Sequence, residues 1–173
     1  SIMDSGSVER VSMQKDIIEL AQRLGQVLQA KNWLAATAES CTGGGVAYAI
    51  TAISGSSAWF DRSFVTYTNE AKQQMLGVAA STLEKYGAVS EAVVREMTAG
   101  TLAHSQANIA VAISGIAGPT GGSDEKPVGT VWIAWQTGEG RQHAQHYLFS
   151  GDREQVRLQA IREALSGLLS FSK

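Results

Sequence analysis

Apolar residues recur at helical spacing over residues 13–30, where Ile17, Leu20, Ala21, Leu24, Val27 and Leu28 fall on one stripe. A short apolar run at 33–38 then predicts a buried strand, and 44–53 returns to a helical pattern. Residues 54–57 read as a turn, 59–68 as a strand, 69 to about 76 and 79–86 as two short helices, the second closed by Gly87. A further helix is expected from 90 to about 105 and a buried strand over 108–114. After a loop at 115–127, two strands at 128–135 and 142–149 flank Thr137-Gly138-Glu139-Gly140, a hairpin signal. The last helix spans 152–171, with Val156, Ala160, Ile161, Ala164, Leu165 and Leu168 inward. Strands separated by helices predict parallel pairings with crossovers, and the late hairpin adds antiparallel ones. The expected fold is therefore α/β: a three-layer α/β/α sandwich around a mixed, mainly parallel sheet. Residues 1–12, polar and without pattern, read as an N-terminal extension, and 13–173 as a single domain.

Composition narrows the class. The 173 residues are 44% apolar and 17% charged with a net charge of −2, as in an ordinary globular protein. The absence of a long basic run argues against nucleic acid as a partner. No apolar stretch approaches the length of a membrane span, and one cysteine excludes an intrachain disulfide. A reducing, cytoplasmic setting is the expectation.

Chemistry is expected where strands end, because loops there carry function in open α/β sheets. Three junctions stand out. At Ala38-Glu39-Ser40-Cys41-Thr42-Gly43-Gly44-Gly45 a strand turns into a helix. A hydroxyl and a thiol thus stand beside unpaired helix N–H groups that favour an anion. At the second, Tyr67 precedes a helix whose first turn holds Lys72. The helix dipole and burial would both lower the pKa of that amine, fitting it for general-base work. The third runs from Ser114 through Gly115, Gly118, Gly121 and Gly122 to Gly129, a loop whose N–H groups would suit a phosphate. It has neither the P-loop nor the dinucleotide-binding glycine spacing. His104, His143 and His146 are the only histidines. The last two alternate across a strand, so neither a metal site nor a Ser-His-Asp triad is expected. Cys41 is an alternative nucleophile, and Arg153 at the start of the last helix suits a phosphate or carboxylate.

The motifs at 38–44, 55–60, 65–72, 87–91, 113–119 and 126–131 together resemble the CinA C-terminal domain family over residues 13 to 170. The family's N-terminal nucleotide-hydrolase domain has no counterpart in this chain. The resemblance implies hydrolysis of the amide of nicotinamide mononucleotide (NMN) to nicotinate mononucleotide and ammonia, by a Ser/Lys mechanism needing no metal or cofactor. It implies Ser40 as nucleophile, Lys72 as general base and Tyr67 assisting. Substrate contacts are then expected from Thr42, Gly43, Gly44, Ser114, Gly115, Gly118 and Arg153, with Arg157 a nearby substitute for Arg153. A non-catalytic nucleotide-binding or regulatory module of the same family is the alternative. An apolar edge at 131–135 would suit a homo-oligomer.

Overall fold

The structure, a computed structural model, describes residues 4–173. Its sheet is ordered around the strand with the smallest side chains. β1 (Ala35–Glu39) is buried at every residue and pairs in parallel with β2 (Phe60–Val65) on one side and β3 (Ile109–Gly115) on the other. β3 continues antiparallel to β4 (Thr130–Thr137), and β4 to β5 (Gln142–Leu148), giving the order β2-β1-β3-β4-β5.

The two faces of this sheet differ. Ile109, Val111, Ile113, Val131, Ile133 and Trp135 point into a core shared with α1 (Ser5–Lys31), α2 (Gly45–Thr51) and α6 (Arg153–Phe171). Ala38, Ala112 and Ala134 point the other way, toward α3 (Asn69–Leu76), α4 (Ala80–Tyr86) and α5 (Glu91–Ala103). The expected α/β/α sandwich is thus present. Bulk on one face and alanine on the other set the spacing of its layers.

Two tryptophans lock the thick face. Trp59, wholly buried, packs where a Cβ on Gly25 of α1 would sit 2.7 Å away. Trp135 donates its indole N–H to the Ala164 carbonyl (3.0 Å) and fills the space beside Gly167 of α6, where a Cβ would lie within 2.5 Å of three indole atoms. α6 is started by a reciprocal cap between Asp152 and Gln155. Its position along the sheet is therefore fixed at both ends, which matters because its first turns reach the strand rim.

The pattern of residues is corrected in two places. Residues 1–3 of the expected extension lie outside the described residues, but α1 begins at Ser5. Asp4 caps it by accepting from the Ser7 N–H (2.7 Å), and Arg10 reaches Asp152 (3.7 Å) and Glu154 (3.5 Å). These first turns touch no core, so apolar periodicity does not register them. Residues 131–135 are not an edge: β4 lies between β3 and β5, and the uncovered outer strands are β2 and β5. No helix among the described residues is long and apolar enough to cross a membrane.

Gly167→Ala should force the Trp135 indole off its seat and lower unfolding free energy by about 1–3 kcal/mol. Urea denaturation followed by tryptophan fluorescence measures this.

Candidate active site

The ends of the parallel strands converge on one rim. Ser40 follows β1 directly, and its N–H extends the ladder by donating to the Ile113 carbonyl of β3 (3.0 Å). The end of β2 runs into Thr66, whose N–H is held by the Glu39 carbonyl (2.9 Å), then into Thr68, which caps α3 by accepting from Ala71 N–H (3.0 Å). This cap starts α3 so that Lys72, in its first turn, points back to the rim. Lys72 Nζ lies 3.2 Å from Ser40 Oγ and donates to the Thr66 carbonyl (3.0 Å). Residues 32 positions apart are thus in hydrogen-bond contact.

Lys72 is only 1% exposed. Among the described residues no carboxylate lies within ion-pair distance of Nζ. Burial accordingly pushes its pKa below the ordinary lysine value, with the neighbouring Cys41 opposing this in part. The amine is held close to the proton it would have to take.

Ser40 and Lys72 open on a cavity of about 260 Å³ that also has Tyr67, Ser114, Gly115 and Arg153 in its wall. Ser114 is buried at the end of β3, and its hydroxyl bonds no other described residue. Arg153 Nη1 donates to the Gly118 carbonyl (2.8 Å) and Nη2 to the Tyr67 hydroxyl (3.4 Å), so it ties the long loop to the mouth. Gly118 therefore offers Arg153 a carbonyl and does not line the cavity. Tyr67 is mostly exposed.

Thr42, Gly43 and Gly44 are placed elsewhere. They line a second groove, of about 540 Å³, on the other side of the turn, together with Tyr48, Arg157 and Ile161. The Val46 and Ala47 N–H groups at the α2 N-terminus are already taken from within. The Glu39 carboxyl accepts from Val46 N–H (2.9 Å), Ala47 N–H (3.0 Å) and the hydroxyls of Thr42 (2.7 Å) and Thr37 (2.9 Å), and the Thr37 hydroxyl is bonded to that of Ser63 (2.6 Å). Glu39 is fully buried, and its two oxygens satisfy helix N–H groups that would otherwise be orphaned. Glu39 belongs to no catalytic motif of the sequence, although an acid at a buried strand end just before a helix is a signal for such internal capping. Arg157 is likewise separated from Arg153: it donates Nε to the Cys41 carbonyl (3.0 Å) and Nη2 to the Thr42 carbonyl (3.4 Å).

Cys41 does not compete with Ser40. Its thiol is buried in the core, and burial pushes its pKa up to about 12, so the thiolate needed for attack is suppressed. The histidines are remote in function: His104 bonds the Gly100 carbonyl, His143 stacks on Trp135 and His146 tilts against Trp132.

Comparison with known proteins gives the family. Residues 17–172 match the CinA C-terminal domain. The chain is 59% identical over 147 residues to the nicotinamide-nucleotide amidohydrolase PncC of Enterobacter agglomerans, covering 85% of this chain and 90% of the relative. It is 53% identical over 155 residues to the protein of the same name from Pseudomonas putida, covering 90% and 96%. Among solved structures it resembles the competence/damage inducible protein CihA of Agrobacterium tumefaciens, at 46% identity and a TM-score of 0.90 over 91% of this chain and 96% of that one.

The buried amine has a measurable signature. Between the depressed pKa of folded Lys72 and the ordinary value of 10.5, the unfolded chain binds a proton that the folded chain does not. Stability therefore rises with pH across that window. Lys72→Met should remove this rise, so that the wild-type-minus-variant difference in unfolding free energy climbs with pH, and the variant should melt no lower than wild type at pH 7. Thermal unfolding across pH 7 to 10.5 tests both points.

Proposed function

The chain belongs to the CinA C-terminal domain family, and from that membership and the geometry of its strand rim we propose that it is a nicotinamide-nucleotide amidohydrolase. It would convert NMN and water to nicotinate mononucleotide and ammonia through Ser40 and Lys72. The observation that carries this reading is the 3.2 Å approach of a buried lysine amine, without a carboxylate partner among the described residues, to a serine hydroxyl in the wall of a cavity. The name borne by relatives 53–59% identical supplies the substrate class.

In the proposed reaction neutral Lys72 takes the Ser40 proton as Oγ attacks the amide carbon, forming a tetrahedral oxyanion. The C–N bond then breaks, the lysine ammonium returns its proton to the departing nitrogen, and ammonia leaves. The remaining ester between Ser40 and the nicotinoyl group is hydrolysed by water, whose proton Lys72 accepts and passes to Ser40 Oγ as the ester C–O bond breaks. Burial serves both halves, because an ammonium that is poorly solvated gives its proton up readily. Arg153 contributes positive charge at the mouth for the ribose phosphate, and Tyr67, bonded to it, assists there. Ser114 and Gly115 line the same cavity and would contact the substrate.

The test is ammonia release from NMN by the purified protein. Ser40→Ala should lower the rate at least about a thousandfold, and Lys72→Ala by about 10²–10⁴-fold, with folding intact. In wild type the acid limb of kcat/KM should report deprotonation of Lys72 at a pH below 10.5. A folded wild type that binds NMN but releases no ammonia would replace this reading with the nucleotide-binding one.

A further inference from the structure

The turn between Ser40 and α2 is a chain of peptide groups whose orientations are each fixed by a named partner. The Ser40 carbonyl accepts from Gly43 N–H (3.0 Å), and the Thr42 carbonyl from Gly45 N–H (2.9 Å). Val46 and Ala47 N–H are spent on Glu39. Among the described residues, the N–H groups of Cys41, Thr42 and Gly44 have no acceptor. They are the donors this turn leaves over.

Their directions follow from the carbonyls they share peptides with. A trans peptide points its C=O and N–H in opposite directions. The Cys41 carbonyl is drawn to Arg157 Nε (3.0 Å), so the Thr42 N–H is sent away from Arg157. The Ser40 carbonyl is folded in toward Gly43, so the Cys41 N–H is turned out of the turn. Thr42 and Arg157 stand in the wall of the 540 Å³ groove and Ser40 and Cys41 in the wall of the 260 Å³ cavity, so the peptide between Cys41 and Thr42 spans the two. The turn is a partition, with the guanidinium behind it and the serine hydroxyl in front.

We propose that Arg157 is a positioning residue for amide hydrolysis: by holding the Cys41 and Thr42 carbonyls from behind the turn, it aims the Thr42 N–H, beside the Cys41 N–H, at the oxyanion formed when Ser40 attacks. The inference rests on the amidohydrolase reading. Two features suit arginine to this work. Its planar fork reaches two successive carbonyls, which a lysine ammonium on a flexible stem does not hold in one geometry. Its charge also polarises the peptides it bonds, strengthening their N–H groups as donors. Because the guanidinium lies on the far side of the turn, it acts on the transition state without touching substrate. The loss should therefore fall on kcat, since only the transition state carries the oxyanion.

The experiment compares wild type with Arg157→Met, Arg157→Gln and Arg157→Lys on NMN. The expected result is a fall in kcat of about 10–1000-fold for Met, smaller for Lys, with KM within about threefold and an unmoved acid limb of the pH profile. Two ligands separate positioning from general damage. The product nicotinate mononucleotide should bind wild type and variants alike. The aldehyde analogue of NMN, whose carbonyl adds Ser40 to give a tetrahedral oxygen, should lose affinity by the same factor as kcat/KM. A loss confined to KM, equal losses for both ligands, or an unchanged kcat in folded variants would overturn the inference. If Met does not fold, Gln and Lys carry the comparison. A wild type inactive on NMN would overturn the amidohydrolase reading and this inference together, whereas an active wild type indifferent to Arg157 overturns the inference alone.

Discussion

The rim of this sheet depends on one buried carboxyl. Glu39 ends β1, has no exposure, and collects four donors from β1, the following turn and α2, one of which, the Thr37 hydroxyl, is bonded in turn to Ser63 of β2. A buried acid is tolerable only when its acceptor capacity is used, and here each bond also does structural work. The bonds to Val46 and Ala47 begin α2, the bond to Thr42 closes the turn, and the bond to Thr37 ties the neighbouring strand through Ser63. The position of Ser40, one residue further on, follows from these constraints together with its own N–H bond to β3.

The asymmetry of the sheet explains why a single helix reaches both sides of that turn. Large residues on the α1/α6 face hold α6 at the distance of a tryptophan, and the Trp135 indole on the Ala164 carbonyl sets it along its axis. Arg153 and Arg157 are four residues apart, so they lie on one face of α6, a turn of helix from each other. Arg153 is delivered to the cavity mouth and Arg157 to the back of the turn. Two arginines that look interchangeable along the chain are given different tasks by 5.4 Å of helix pitch.

Much of this was legible in the sequence. The inward residues of α6, the buried runs of β1 and β3 and the hairpin of β4 and β5 show the periods that burial imposes, and the α/β/α sandwich follows. The rim positions of Ser40, Tyr67, Lys72, Ser114, Gly115 and Arg153 were legible for a different reason, since strand ends in such sheets collect on one side. What escaped depends on contacts between parts of the chain that no local pattern joins. The start of α1 is held by a cap and by charges on α6, neither of which shows in apolar spacing. The apolar run at 131–135 looks the same whether a strand is at an edge or inside a sheet. The capping of the Val46 and Ala47 N–H groups by Glu39, seven and eight residues earlier, is another contact of this kind.

Lys72 lacks a carboxylate partner among the described residues, and that has a bearing on how the reaction would end. On the proposed route the carbon attacked by Ser40 leaves as a carboxylate, formed within reach of Nζ. The acid product would then be the counterion that the protein itself withholds, and protonating Lys72 would tighten its hold. On that route product inhibition, growing as pH falls, would be built into a site that keeps its lysine uncompensated, and turnover near neutrality would be governed by how quickly that ion pair gives way to water.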